Sequence, residues 1–130
     1  MVTVHTGYAR RLIEMGGDPD PEVLHSFGAV LDGRDPALLE WITESGICAI
    51  AADDYAVELY PARPAPPPAS ILPLHEHCLF KLGVQLGELW HLSELADHLR
   101  TQSRTAFLLT APPLNLPGAS ASPLNPIATV

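Results

Sequence analysis

Six histidines sit among fifteen Asp and Glu and only seven Lys and Arg, the donor chemistry from which zinc and manganese sites are built. The residues four positions after the histidines are Ala9, Ala29, Leu79, Lys81, Leu95 and Gln102, so no helix can present two imidazoles on one face. His75-Glu76-His77 is denser, but residues two apart on a helix point to different sides. Only one of these histidines can enter a given site unless the backbone there is extended. The more informative pair is His75 with Glu88. A carboxylate beside an imidazole orients the ring and stabilises its protonated form, the arrangement used by general acid/base histidines and by auxiliary metal ligands. Spacing alone leaves a second reading open, in which His75 caps its helix and Glu88 is a solvated charge. Behind this pair stand His77, then Glu76 and Cys78, as substitutes. There is no Gly-x-Ser-x-Gly elbow and no Gly-x4-Gly-Lys-Ser/Thr loop. Cys48 and Cys78, in apolar surroundings, read as core thiols rather than nucleophiles.

The elements that would position these groups alternate along the chain. Val2-Thr3-Val4-His5 is alternating and β-branched, and Thr6-Gly7 leads into a helix over Tyr8 to Met15, stopped by Gly16-Gly17. Asp35-Pro36 is a strong helix start, with Leu38, Trp41, Ile42 and Ser45 on one expected face and Gly46 as the stop. The apolar run Ile47 to Ala52 has the character of a strand buried on both faces. A helix over Leu74 to Leu82, with Leu79 and Leu82 on the His75 face, ends at Gly83. Val84-Gln85-Leu86 then reads as a strand, Ser93 to Leu99 as a helix and Thr105 to Thr110 as a strand. This order predicts an α/β fold with helices packed on a mixed sheet. Six of the fourteen prolines fall between Pro61 and Pro73, which marks 61–73 as an exposed extended connector, and five more punctuate the tail from Pro112 to Pro126.

A length of 130 residues is that of one domain, and 47% hydrophobic content excludes disorder over the whole chain. The net charge of -8 has the wrong sign for a phosphate backbone or an anionic membrane, so neither nucleic acid nor membrane is an expected partner. No apolar run reaches the ~18 residues of a membrane span, no export signal is recognisable, and two cysteines thirty positions apart suggest reduced thiols in a cytoplasm.

Five words of the sequence carry a resemblance. They are Thr6-Gly7-Tyr8, Ile50-Ala51-Ala52-Asp53-Asp54 with Val57-Glu58, Leu74-His75-Glu76-His77-Cys78-Leu79 leading to Gly83-Val84-Gln85-Leu86-Gly87-Glu88-Leu89-Trp90, Leu108-Leu109-Thr110-Ala111-Pro112-Pro113-Leu114, and Pro117-Gly118 through Ser122-Pro123-Leu124-Asn125-Pro126-Ile127-Ala128. In this order they are similar to the C-terminal half of the cyclase family, which includes bacterial kynurenine formamidases and isatin hydrolase. The match covers almost the whole chain, making residues 1–130 a single partial domain of that family. The resemblance implies a swivelling β/β/α fold, commonly oligomeric, and arylformamidase-like hydrolysis of an N-formyl or cyclic amide with zinc or manganese. It also implies that His75 and Glu88 line the site as a catalytic or metal-binding pair. The family's main ligands come from an N-terminal His-x-Gly-Thr-His-x-Asp motif that this sequence lacks. The chain is therefore expected to be inactive alone, and to associate with itself or with a complementary N-terminal half. The alternative is a non-catalytic binding or assembly module that keeps the fold.

Overall fold

The computed structural model describes residues 1–130. It is a mixed α/β fold of two compact units, Met1–Ser93 and Glu94–Val130. In the first unit the elements are β1 (Val2–Val4), α1 (Tyr8–Glu14), α2 (Pro21–Ser26), α3 (Pro36–Ser45), β2 (Ala49–Ala52), α4 (Pro73–His75), a π-helix (Glu76–Leu82) and β3 (Gln85–Gly87). The strands form one parallel sheet in the order β1-β2-β3, with Val2 opposite Ile50 and Ile50 opposite Leu86. The central strand β2 is paired on both edges, which is why its sequence is a continuous apolar run.

Ile42 from α3, Ile50 and Ala52 from β2, Val57, Leu74, Cys78 and Val84 form the buried core, with Val4, Leu31, Leu38, Leu39, Ile47 and Leu86 packed against it. Asp35 caps α3 by accepting from Ala37 N at 2.9 Å, and Pro36 fills the first helical position. The core stripe of α3 is narrower than its periodicity suggests: Ile42 is buried, whereas Trp41 is 48% exposed and Ser45 is also exposed. A second Asp-Pro start, Asp20-Pro21, opens α2, with Asp20 accepting from Glu22 N at 2.9 Å.

The expected helix over Leu74 to Leu82 forms as one turn of α-helix that widens into the π-helix. Leu74 and Cys78 are its buried positions, while Leu79 and Leu82, read on the His75 face, are exposed. Gly83, at φ 72°, stops the helix in the left-handed region, and Val84 N returns to Cys78 O at 2.8 Å. Cys48 also departs from expectation, being exposed where Cys78 is buried.

The second unit carries α5 (Ser93–Thr101), of which Ser93 belongs to the first, and an antiparallel pair of β4 (Leu108–Thr110) with β5 (Ile127–Thr129). The expected mixed sheet is thus a purely parallel sheet and a separate antiparallel pair. None of residues 94–130 is fully buried, and Leu108, Leu114, Leu116, Leu124, Ile127 and Val130 are exposed. No helix of the chain is long and apolar enough to cross a membrane.

Candidate functional site

Three parallel strands in register bring their carboxyl ends to one edge of the sheet, so His5-Thr6-Gly7 after β1, Asp53-Asp54 after β2 and Glu88-Leu89 after β3 converge there. In open α/β sheets this edge is where ligands are bound. Asp53 N continues the ladder to Val4 O at 3.3 Å, while Leu89 N and Trp90 N bond Asp54 O and Ala52 O at 2.8 and 3.1 Å. The Asp53 side chain is fully buried and accepts from Thr6 N at 2.6 Å, Thr6 Oγ1 at 2.8 Å and Gly7 N at 2.8 Å. His5 Nε2 lies 3.9 Å from Asp53 Oδ2 and 3.1 Å from Ser93 Oγ.

His75 and Glu88 meet at this edge, with His75 Nε2 3.0 Å from Glu88 Oε1. The helix start brings His75 in, and Glu88 directly follows β3. On the other side of the ring, His75 Nδ1 is 2.8 Å from Glu58 Oε1. Glu58 also accepts from His75 N and Leu74 N, both at 2.9 Å, and its side chain is fully buried. Its backbone is fixed by a bridge to Leu31, in which Leu31 N bonds Val57 O at 3.3 Å and Leu59 N bonds Leu31 O at 2.8 Å. Gly33 lies against the carboxylate so closely that a Cβ there would run into Glu58 Oε2 and sit 2.7 Å from Leu74 N. The residue types of His75 and Glu88 drew attention in the sequence. Glu58 stood only inside a family word with no role attached, and nothing in the sequence marks Gly33.

The remaining candidates have structural partners. His77 Nε2 lies 3.0 Å from Thr43 Oγ1 and 3.1 Å from Leu39 O, tying the π-helix to α3. Glu76 pairs with Lys81 at 2.8 Å, and that partner holds its carboxyl below the usual range. Burial, helped by the Glu58 charge, pushes the Cys78 thiol up to about 11, which removes it as a nucleophile. No group of three or more His, Cys, Asp or Glu is arranged to hold a metal ion.

Asp54 is buried, and its Oδ1 accepts from Val57 N at 2.7 Å while Oδ2 has no partner. Burial raises its carboxyl above the ordinary value, opposed by the Val57 N–H and reinforced by the Asp53 and Glu88 charges. The folded state therefore binds this proton more tightly than the unfolded chain does. The resulting stabilisation is fully present below the unfolded value of about 4 and is lost as pH rises through the raised native value. Asp54→Asn keeps an acceptor for Val57 N and removes the proton, so denaturant midpoints measured across that window should fall with pH less steeply in the variant than in the parent. Parallel slopes would show that Asp54 is not the group responsible.

Searches with the sequence and the fold find no matching family model, no matching curated protein and no matching solved structure.

Proposed function

We propose that the chain is the C-terminal part of a metal-dependent amidohydrolase of the cyclase family, cleaving an N-formyl or cyclic amide as an arylformamidase does, and that it supplies the site's proton-transfer pair. The observation that carries this is the His75–Glu88 contact at the carboxyl edge of the sheet. Its side chains are 21% and 39% exposed, so a substrate can reach it. The contact joins two residues of the family words in the arrangement that amide hydrolysis needs.

Cleaving an amide forms a C–O bond to water and breaks the C–N bond, so one proton must leave the attacking oxygen and one must reach the departing nitrogen. An imidazole with a carboxylate at its outer nitrogen can do both in turn, and such catalysis is typically worth ~10²–10⁴-fold in rate. His75 Nε2 is the group assigned to take and return the proton, with Glu88 stabilising the charged ring. The donors on this chain do not amount to a metal site: His75 and Glu88 are two, and a catalytic zinc takes three protein ligands. The remaining ligands for zinc or manganese are assigned to an N-terminal half carrying His-x-Gly-Thr-His-x-Asp.

The test pairs the purified chain with a polypeptide carrying that motif, adds zinc or manganese, and measures turnover of N-formylkynurenine, isatin and simple N-formyl amides. Turnover is expected only with both polypeptides, and His75→Ala should lower it by about 100-fold or more. Activity unaffected by His75→Ala would remove the proton-transfer assignment, and no turnover with any substrate would favour the binding-module alternative.

The same proposal carries an expectation about assembly. An isolated two-stranded pair is at best marginally stable, and the exposed apolar side chains along Leu108 to Val130 lack a covering surface. Outer strands β1 and β3 each leave one edge unpaired. Sedimentation of the purified chain should show self-association that is relieved by the complementary half; a monomer at all concentrations would contradict it.

A further inference from the structure

We infer that Glu58 is a positioning residue, which holds His75 with its proton on Nδ1 and leaves Nε2 as the nitrogen that exchanges protons at the open edge. The use of Nε2 rests on the proton-transfer role proposed above, whereas the tautomer does not.

The inference begins with hydrogen-bond accounting at a helix start. The first N–H groups of a helix have no internal acceptor, and Leu72, which precedes α4, offers no side-chain cap. Pro73 has no N–H to satisfy, which leaves Leu74 N and His75 N. Glu58 takes both, Leu74 N on Oε2 and His75 N on Oε1, from sixteen and seventeen residues away. Backbone N–H groups can only donate, so both oxygens are committed as acceptors. The third partner, His75 Nδ1 at 2.8 Å, meets the same Oε1 and must bring the hydrogen itself. The clamp is bidentate through one residue: His75 is held by its backbone nitrogen and by its ring nitrogen on a single oxygen. The backbone position and the ring plane are thereby fixed together.

The carboxylate has little freedom to do otherwise. It is fully buried, so water does not compete for its lone pairs, and the Leu31 bridge and the close approach of Gly33 confine it from two further directions. The far side of the ring is different. At 3.0 Å from Glu88 Oε1, Nε2 shares one proton with that partly exposed carboxyl group, carried on the ring or on the carboxyl, and a substrate can displace or share this partner. One carboxylate is thus a permanent anchor and the other a replaceable neighbour.

The experiment is ring nitrogen–proton correlation NMR on the full ¹⁵N-labelled chain, with His75→Gln identifying the His75 signals, at about pH 8, above the ordinary imidazole range. Wild type should show His75 Nδ1 as a protonated nitrogen. Glu58→Gln, which keeps a carbonyl oxygen for the ring, should retain that signature, and Glu58→Ala should lose it. A bare Nδ1 in wild type, or a Glu58→Ala spectrum in which the Nδ1–H persists, overturns the inference. Should Glu58→Ala not fold, wild type and Glu58→Gln decide the matter, since both must show the Nδ1 proton. Failure of the two-polypeptide hydrolysis assay leaves this readout unchanged, so the two proposals fail separately.

Discussion

Gly33→Ala should be among the most damaging single substitutions in the chain, at about 3–5 kcal/mol, although it adds one methyl group at a position with no special backbone angle. The added Cβ would run into Glu58 Oε2, and Leu74 N and Leu74 Cβ would lie at 2.7 and 3.0 Å. None of these can move cheaply: one is a buried carboxylate holding three hydrogen bonds, another is helix backbone. Overpacking a tight interior costs about 1–3 kcal/mol. Displacing Glu58 adds the loss of charge-assisted hydrogen bonds to Leu74 N, His75 N and His75 Nδ1, each worth about 1.5–3 kcal/mol. Those terms overlap, because relaxation that relieves the clash is the same motion that breaks the bonds. Gly46→Ala is the control. Gly46 has φ 66° and open space around it, so its substitution carries only the left-handed backbone penalty of about 1–2 kcal/mol. Urea unfolding of both variants measures the difference, and a Gly33→Ala cost no greater than that of Gly46→Ala would show that the Glu58 pocket is more yielding than its contacts indicate. The ring signature of His75 should change in Gly33→Ala as well.

Local signals account for much of the first unit. An unbroken apolar run announced β2 because a strand with two neighbours and two covered faces has no polar side to show. Asp35-Pro36 announced α3 because the cap and the first helical position have strict chemical preferences. The same pair at Asp20-Pro21 was equally readable and opens α2, which the sequence reading passed over among the polar residues before Phe27. The π-helix was not readable, since an extra residue per turn leaves no compositional mark. In the site, His75 and Glu88 stand thirteen residues apart on consecutive elements, close enough for spacing to suggest their meeting. Glu58 lies seventeen residues before His75, beyond the proline connector, and only the Leu31 bridge and the tight turn at Gly33 aim its carboxylate at the helix start. Asp53 and Asp54 are neighbours in sequence with opposite fates, one fully satisfied and one with an orphaned oxygen. Alternation of faces explains why they differ, but which of them faces the Thr6-Gly7 turn depends on the register of β1 with β2.

That register makes Asp53 the second position where a large effect is expected, with Asp53→Ala costing about 3–5 kcal/mol. Its carboxylate sits where β2 ends and receives Thr6 N, Thr6 Oγ1 and Gly7 N, so it joins the end of the central strand to the turn that carries β1 into α1. Gly7 is the residue before α1, at φ 89°, and has no side chain with which to cap the helix. Thr6 Oγ1 takes Tyr8 N, the first N–H of α1, at 3.2 Å, and Asp53 holds that threonine and its turn in place from another strand. Alanine would leave two part-buried backbone N–H groups and a hydroxyl without their acceptor, at up to about 1–3 kcal/mol each before any water enters. Asparagine separates charge from shape. Its oxygen can still serve Thr6 N and Thr6 Oγ1, but its amide hydrogens then confront Gly7 N–H, so about 2 kcal/mol should be lost. Thr6→Val removes one donor to Asp53 and also the acceptor for Tyr8 N at 3.2 Å. Because Thr6 and Asp53 share a bond, the double variant Thr6→Val, Asp53→Asn should be less destabilised than the sum of the two, by about 0.5 kcal/mol or more. Strict additivity, or an Asp53→Ala cost below about 1 kcal/mol in urea unfolding, would mean that the sheet edge is held by the strand ladder alone. In that case the Thr6-Gly7 turn would have to be positioned by α1 and its packing, and the convergence of three strand ends at the His75 edge would not depend on a carboxylate at its centre.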